Sequence, residues 1–274
     1  MHTETQRLSS TAFAAELAVA RRAAAEAAAL ISLREGAERI REKGPGDLVT
    51  VVDEAAEATI LACIREYFPD DAIIAEESAA RARPTGRRWI VDPIDGTTNF
   101  VHHHPFVAVS IAFADEDGPA AGVVNAPLLG QLFHATRGGG ACLNDRPIHV
   151  SSTSETRRAL FATGFPFKAG KGDPERYLQL VLEVLRGSHG LRRAGSAALD
   201  LAYVAAGKLD AYFELGLGPW DLAAGLLLVS EAGGRVSGWP GDEAGPLETG
   251  RVIASNSSLH GWLEDLVGRH VGPL

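Results

Sequence analysis

One segment limits this chain more than any other: Trp89-Ile90-Val91-Asp92-Pro93-Ile94-Asp95-Gly96-Thr97-Thr98-Asn99-Phe100. An apolar strand runs straight into a carboxylate, a proline, a second carboxylate and a Gly-Thr-Thr turn. Pro93 fixes its own φ and keeps the residue before it extended, so both acids leave one rigid turn. Acids this close repel each other unless a cation lies between them or one is protonated. Oxygen-only ligands suit Mg²⁺ or Mn²⁺ rather than zinc. Gly96 lets the backbone approach a ligand, and the N–H groups of Gly96, Thr97 and Thr98 can face an anion. The competing reading is a polar turn in which Asp92 and Asp95 only cap local N–H groups.

Composition sets the frame. The chain has 274 residues, which at ~150 per domain gives about two domains or one large one. A change of texture after Ser151 places the expected break between a first unit, 1–150, and a second, 151–274. Hydrophobic residues make up 46% and charged residues 22%, which excludes wholesale disorder. The net charge of −9 argues against a nucleic-acid backbone or an anionic membrane as the main partner. Metal ions can still bring an acidic protein to phosphate. Two cysteines, Cys63 and Cys142, build no disulfide framework. No run reaches the ~18 apolar residues of a membrane span, and the N-terminus lacks the pattern of a signal peptide. A cytoplasmic protein is the expectation.

Spacing predicts one long helix from about Thr11, its cap, to Lys43, stopped by Gly44-Pro45-Gly46. A second runs from Asp53 to Phe68. Short runs at 72–75, 89–91, 107–114, 121–124 and 131–135 read as strands of a largely antiparallel sheet. Beyond residue 151 strands alternate with helices: strands near 159–163, 191–193, 210–214 and 252–254, helices near 174–185, 196–206, 221–231 and 259–270. That second part reads as helices over a mixed sheet. Lys168 and Lys171 fall in a Gly/Lys-rich loop. Arg192 and Arg193 precede Gly195 and are placed to contact substrate or a neighbouring subunit, with a surface or interface role expected, and His102, His103 and His104 are expected in exposed or structural roles.

Three further acid features accompany the central segment. Glu76-Glu77-Ser78 follows an apolar run and reads alone as a solvated strand end. Asp221, in Gly218-Pro219-Trp220-Asp221-Leu222-Ala223-Ala224-Gly225, opens an apolar helix, where an acid meets the helix dipole favourably. Asp53, in Asp47-Leu48-Val49-Thr50-Val51-Val52-Asp53, reads as another N-cap.

Taken in order, these motifs resemble the inositol monophosphatase family over almost the whole chain. Gly195-Ser196-Ala197-Ala198 and Asp210-Ala211-Tyr212-Phe213-Glu214 complete the series. The resemblance implies a layered α/β/α/β/α sandwich and Mg²⁺-dependent hydrolysis of a phosphate monoester, with two or three ions and Mn²⁺ as a substitute. It implies that Glu76, Asp92 and the Ile94 carbonyl hold a first metal, and that Asp92, Asp95 and Asp221 hold a second. A third, weaker ion would sit on Glu76 and water. Asp53 and Thr97 would orient and deprotonate the attacking water, with Glu76 counted in the catalytic set. Gly96 and Thr97 would hold phosphate through backbone N–H groups. The substrate pocket would add Asp95, Gly195, Ser196, Ala197, Glu214 and Asp221, with Glu214 accepting from substrate hydroxyls. A homodimer is also implied.

Inositol monophosphate is the leading substrate on that resemblance. Histidinol phosphate, fructose 1,6-bisphosphate, NADP(H) and 3′-phosphoadenosine 5′-phosphate are the alternatives. Gly218, three residues before Asp221, replaces a bulkier polar residue of some members and predicts a more open pocket. A regulatory binding protein with incidental catalysis, partnering RNA polymerase or ribosomal factors, is the reading from a different class.

Overall fold

The computed structural model describes residues 12–44, 47–78, 86–165 and 173–271. Helices α1 (Ala14–Leu33) and α2 (Val51–Tyr67) flank a hairpin of β1 (Ile40–Gly44) and β2 (Asp47–Thr50). Strands β3 (Ala72–Ala75) and β4 (Arg88–Asp95) lead through the short helix α3 (Thr97–Val101) into a meander. The meander holds β5 (Ala108–Asp115), β6 (Gly118–Ala126), β7 (Gln131–Thr136), β8 (Gly140–Leu143) and β9 (Arg146–Ile148). These seven strands form one sheet in chain order, antiparallel except for the β3–β4 pair.

The remaining elements build a second sheet with its helices. They are β10 (Leu160–Thr163), α4 (Pro174–Gly187), β11 (Gly190–Arg192), α5 (Ala197–Ala205) and β12 (Ala211–Leu215). Then come α6 (Pro219–Glu231), β13 (Arg235–Ser237), α7 (Pro246–Thr249), β14 (Arg251–Ser255) and α8 (His260–Val271). The five strands run in the order β11-β10-β12-β14-β13, parallel across β11-β10-β12 and antiparallel beyond.

Five layers result. Helices α1 and α2 cover one face of the large sheet, α5 and α6 fill the space between the sheets, and α4 and α8 cover the far face. Strand β5 shows why its sequence is apolar but for Ser110 and the terminal Asp115. Val109, Ile111 and Phe113 face α1 and α2, while Ala108, Ala112 and Ala114 face the middle helices. Both faces of the strand are dry, so the usual polar alternation is absent, and small residues fall where helices pack closest. The middle core joins residues on either side of position 150, Ile90 and Phe133 with Leu199, Tyr212 and Leu228.

Three local expectations are corrected. The first helix ends at Leu33, and Arg34 closes it in the left-handed region at φ 57°. The buried stripe of the helix finishes at Ile31, Ala37 is the one buried apolar residue among 35–39, and 40–44 pair with β2 instead. Asp53 and Asp221 are not N-caps. Thr50 and Gly218 hold those positions, and each aspartate lies three residues into its helix. The expected cap Thr11 and the loop lysines Lys168 and Lys171 lie outside the described residues. Strands β8, β9 and β13 and helix α7 add to the expected set.

Candidate active site

The site begins with a bulge. Asp92 pairs with Ser110 and Asp95 with Ala108, so β4 spends one more residue than β5 across this step. In a regular strand, residues three apart point to opposite faces. The extra residue returns Asp95 to the side of Asp92, and it accommodates Pro93, which has no N–H for the ladder. The Ile94 N–H donates to Asp92 Oδ1 at 2.9 Å.

Asp53 and Asp221 arrive by one shared device. Each reaches back to its N-cap: the Thr50 N–H donates to Asp53 Oδ2 at 2.8 Å, and the Gly218 N–H to Asp221 Oδ2 at 2.6 Å. One oxygen of each acid is thereby fixed by its own helix turn. The other oxygen is aimed by the same bond. Asp53 Oδ1 accepts from Thr97 Oγ1 at 3.0 Å, and that hydroxyl also lies 3.1 Å from the Ile94 carbonyl.

Asp92, Asp95 and Asp221 each bring a carboxylate oxygen within 4.8 Å of the other two. Asp95 Oδ2 accepts from Ser196 Oγ and from the Ala198 N–H, both at 2.7 Å, which locks the start of α5 onto the acid cluster. Ser196 is therefore committed to Asp95 and to capping Leu199. Gly96, at φ 99°, adopts a conformation that L side chains avoid, and a Cβ there would fall 3.2 Å from the Gly195 carbonyl. The two backbones close one wall of the site.

Burial and mutual repulsion leave these acids short of positive charge. Burial, then the neighbouring charges of Glu76, Asp95 and Asp221, pushes Asp92 well above the usual carboxylate range. Burial raises Asp95 to about 7 against the opposing hydrogen bonds of Ser196 and Ala198. Glu76 is raised by burial and by the charge of Asp221. The Lys43 ammonium, from β1, lies 3.3 Å from Glu76 Oε1 and 2.8 Å from Glu77 Oε1. Glu77 is thus paired and mostly buried rather than a solvated strand end. A donor set of converging oxygens with raised proton affinity fits a hard divalent cation.

A cleft of about 160 Å³ opens over this cluster. Glu76, Asp92, Ile94, Asp95, Gly96, Thr97, Gly195, Ser196, Ala197, Glu214 and Asp221 all line it. Asp53 alone among the expected residues stands behind the wall, reaching the site through Thr97. Thr98, whose N–H was expected to face an anion, lines it too, and residues not assigned to the pocket from sequence also line it, among them Gly164, Phe165, Leu217 and Arg193. Arg193 stands over the Phe165 ring at 5.9 Å, so its surface position is also a position at the mouth of the cleft. Only its place beside Gly195 hinted at this. Each of His102, His103 and His104 is exposed, and His103 Nδ1 lies 2.7 Å from Arg34.

Comparison with known proteins gives the same direction. The profile of the inositol monophosphatase family matches residues 11–271. The chain belongs to this family. Within it, the chain is 44% identical to inositol-1-monophosphatase of Synechocystis sp. over 240 residues, 86% of this chain and 82% of that protein. It is 47% identical to Nus factor SuhB of Escherichia coli over 216 residues, 78% of this chain and 80% of that protein. The solved structure of extragenic suppressor protein suhB from Bartonella henselae superposes with a TM-score of 0.88 at 37% identity. That superposition covers 94% of this chain and all of the other. As a member of the inositol monophosphatase family the protein is a phosphatase of layered α/β architecture. Among the described residues, no helix is long and apolar enough to cross a membrane.

Proposed function

We propose that the protein is a Mg²⁺-dependent phosphatase that hydrolyses inositol monophosphate to inositol and phosphate. The observation that carries this reading is the convergence of Asp92, Asp95 and Asp221 beside the Thr97–Asp53 hydrogen bond. Glu76, Asp92 and the Ile94 carbonyl would hold one ion, and Asp92, Asp95 and Asp221 a second. Such ions supply the positive charge that neutralises phosphate oxygens and acidifies water.

The chain's own residues do the rest. Thr97 Oγ1 donates to Asp53 Oδ1 and keeps lone pairs for a proton of the attacking water, which passes through the hydroxyl to Asp53. Burial raises the Asp53 proton affinity, so it accepts a proton more readily than an exposed aspartate. The N–H groups of Gly96 and Thr97 hold the phosphate, and no covalent nucleophile is needed because this chemistry rests mainly on positioning and charge neutralisation. Glu214, raised to about 7 chiefly by burial, accepts from a ring hydroxyl.

The test is phosphate release with Mg²⁺ on inositol 1-phosphate, histidinol phosphate, fructose 1,6-bisphosphate, NADP⁺ and 3′-phosphoadenosine 5′-phosphate, with Asp95→Asn as control. Preference for inositol 1-phosphate, lost in the variant, supports the proposal. Preference for another ester keeps the metal chemistry and replaces the substrate.

The Nus factor relative supports a second reading, a role as a transcription partner. Under that reading Asp95→Asn abolishes turnover and leaves the cellular phenotype of a deletion complemented. Loss of complementation argues for the enzyme.

A further inference from the structure

We propose that Tyr212 and Gly164 are positioning residues that set substrate selectivity by fixing the Glu214 carboxylate in one productive placement. The inference rests on the reading of Glu214 as the acceptor for a substrate hydroxyl. Tyr212 and Glu214 are two residues apart on β12, so both side chains rise from the same face of the sheet. The Tyr212 ring is wholly buried in the middle core, and its hydroxyl donates to Glu214 Oε2. Its neighbours Ala211, Phe213 and Leu215 face the opposite core.

Gly164 leaves open the space in which the carboxylate sits. It follows β10, whose Thr163 lies beside Phe213 of β12 in parallel register. A Cβ at position 164 would stand 1.9 Å from Glu214 Oε1 and 2.0 Å from its Cδ. The carboxylate therefore occupies the space that any other residue's side chain would claim. Oε2 is committed to Tyr212, while Oε1 takes no hydrogen bond from any described residue, and both Gly164 and Glu214 line the cleft.

A glutamate left to itself spreads over several rotamers, and ordering it on binding costs affinity. Here a buried donor pulls on one oxygen and a missing side chain makes the room. The ordering is complete before substrate arrives. A substrate that offers a hydroxyl to Oε1 gains from this, and a plain ester does not.

The experiment compares kcat/KM for inositol 1-phosphate with kcat/KM for phenyl phosphate at saturating Mg²⁺. It is run on the wild type, Tyr212→Phe, Gly164→Ala and Glu214→Ala. A general disturbance lowers both rates and leaves their ratio alone. Each positioning variant is expected to lower the ratio roughly tenfold, the worth of one hydrogen bond to a charged group. Glu214→Ala is expected to lower it as far, and Tyr212→Phe added to Glu214→Ala to lower it no further. A ratio kept by Tyr212→Phe and Gly164→Ala but lost in Glu214→Ala overturns the positioning roles. A ratio untouched by Glu214→Ala, or a wild type with no preference, overturns the substrate reading beneath them.

Discussion

Thr97 Oγ1 lies 3.0 Å from Asp53 Oδ1, which joins the start of α3 to the first turn of α2. The bond is directional because the other oxygen of Asp53 is fully engaged. Oδ2 takes both the backbone N–H of Thr50, at 2.8 Å, and its hydroxyl, at 2.5 Å. A capping arrangement that stabilises a helix start thereby aims a buried acid at a hydroxyl in the cleft.

Removing that hydroxyl should stop the chemistry and spare the fold. Thr97→Ala is expected to lower kcat by roughly 10²-fold or more, the range of a lost general base. Titration calorimetry should find its Mg²⁺ affinity close to that of the wild type, since Asp92, Asp95 and Asp221 are untouched. A kcat within twofold of the wild type would remove Thr97 and Asp53 from the proton path.

The acid cluster fixes the sign of a pH effect. Asp95 and Glu214 keep their protons to about 7 in the folded chain, against about 4 in an unfolded one. The folded state binds more protons in that interval, so metal-free stability falls as pH rises through it. Mg²⁺ takes the place of those protons. Its increase in Tm, followed by calorimetry with and without EDTA, is expected to be larger at about pH 8 than at about pH 6. An increase independent of pH would contradict the assignment.

Gly225 explains why the helix that carries Asp221 has a run of small residues at 223–225. A Cβ there would fall 2.6 Å from the Leu201 Cβ on α5, and a Cβ at Gly122 would fall 3.2 Å from the Ala224 Cα on α6. Helix α6 is pressed between α5 and β6 with no space to yield. Gly225→Val should cost about 1–3 kcal/mol of stability through overpacking. Because Ser196 caps α5 and α6 bears Asp221, stability in urea and Mg²⁺ affinity should worsen together.

How much of this was legible depends on what each residue does for its neighbours. Strand β5 could be read because every residue from Ala108 to Ala114 is buried. The Asp92–Asp95 site could be read because a proline between two acids has few structural uses. Hairpin β1–β2 could not: Ile40, Arg41, Glu42 and Lys43 are exposed, and Lys43 is paired with Glu76 and Glu77, which are distant in sequence. Asp53 and Asp221 were legible as helix-start acids, but a capping residue and an acid three positions on both favour a helix start. Only the hydrogen bonds to Thr50 and Gly218 tell them apart. The Tyr212–Glu214–Gly164 contact joins two strands through a space with no side chain, which no local pattern records.

His260 supplies an independent check on the far side of the molecule. It is wholly buried, with Nδ1 2.8 Å from Ser255 Oγ and Nε2 2.9 Å from Ser237 Oγ. Burial lowers its pKa, against the opposing charge of Glu264. The unfolded chain therefore takes up a proton first, and stability falls as pH drops below about 6.5. In Mg²⁺-saturated protein, urea denaturation at a series of pH values should show this slope, flattened in His260→Gln.

Divalent ions held by Asp92, Asp95 and Asp221 would be visible in crystals soaked in Mn²⁺. Anomalous-scattering peaks are expected about 2.0–2.3 Å from carboxylate oxygens of these three residues, with Asp92 contacting more than one of them. Asp95→Asn is expected to lose the peak between Asp95 and Asp221. A map with no peak at these acids, while Mn²⁺ supports phosphate release in solution, would show that the ions bind elsewhere.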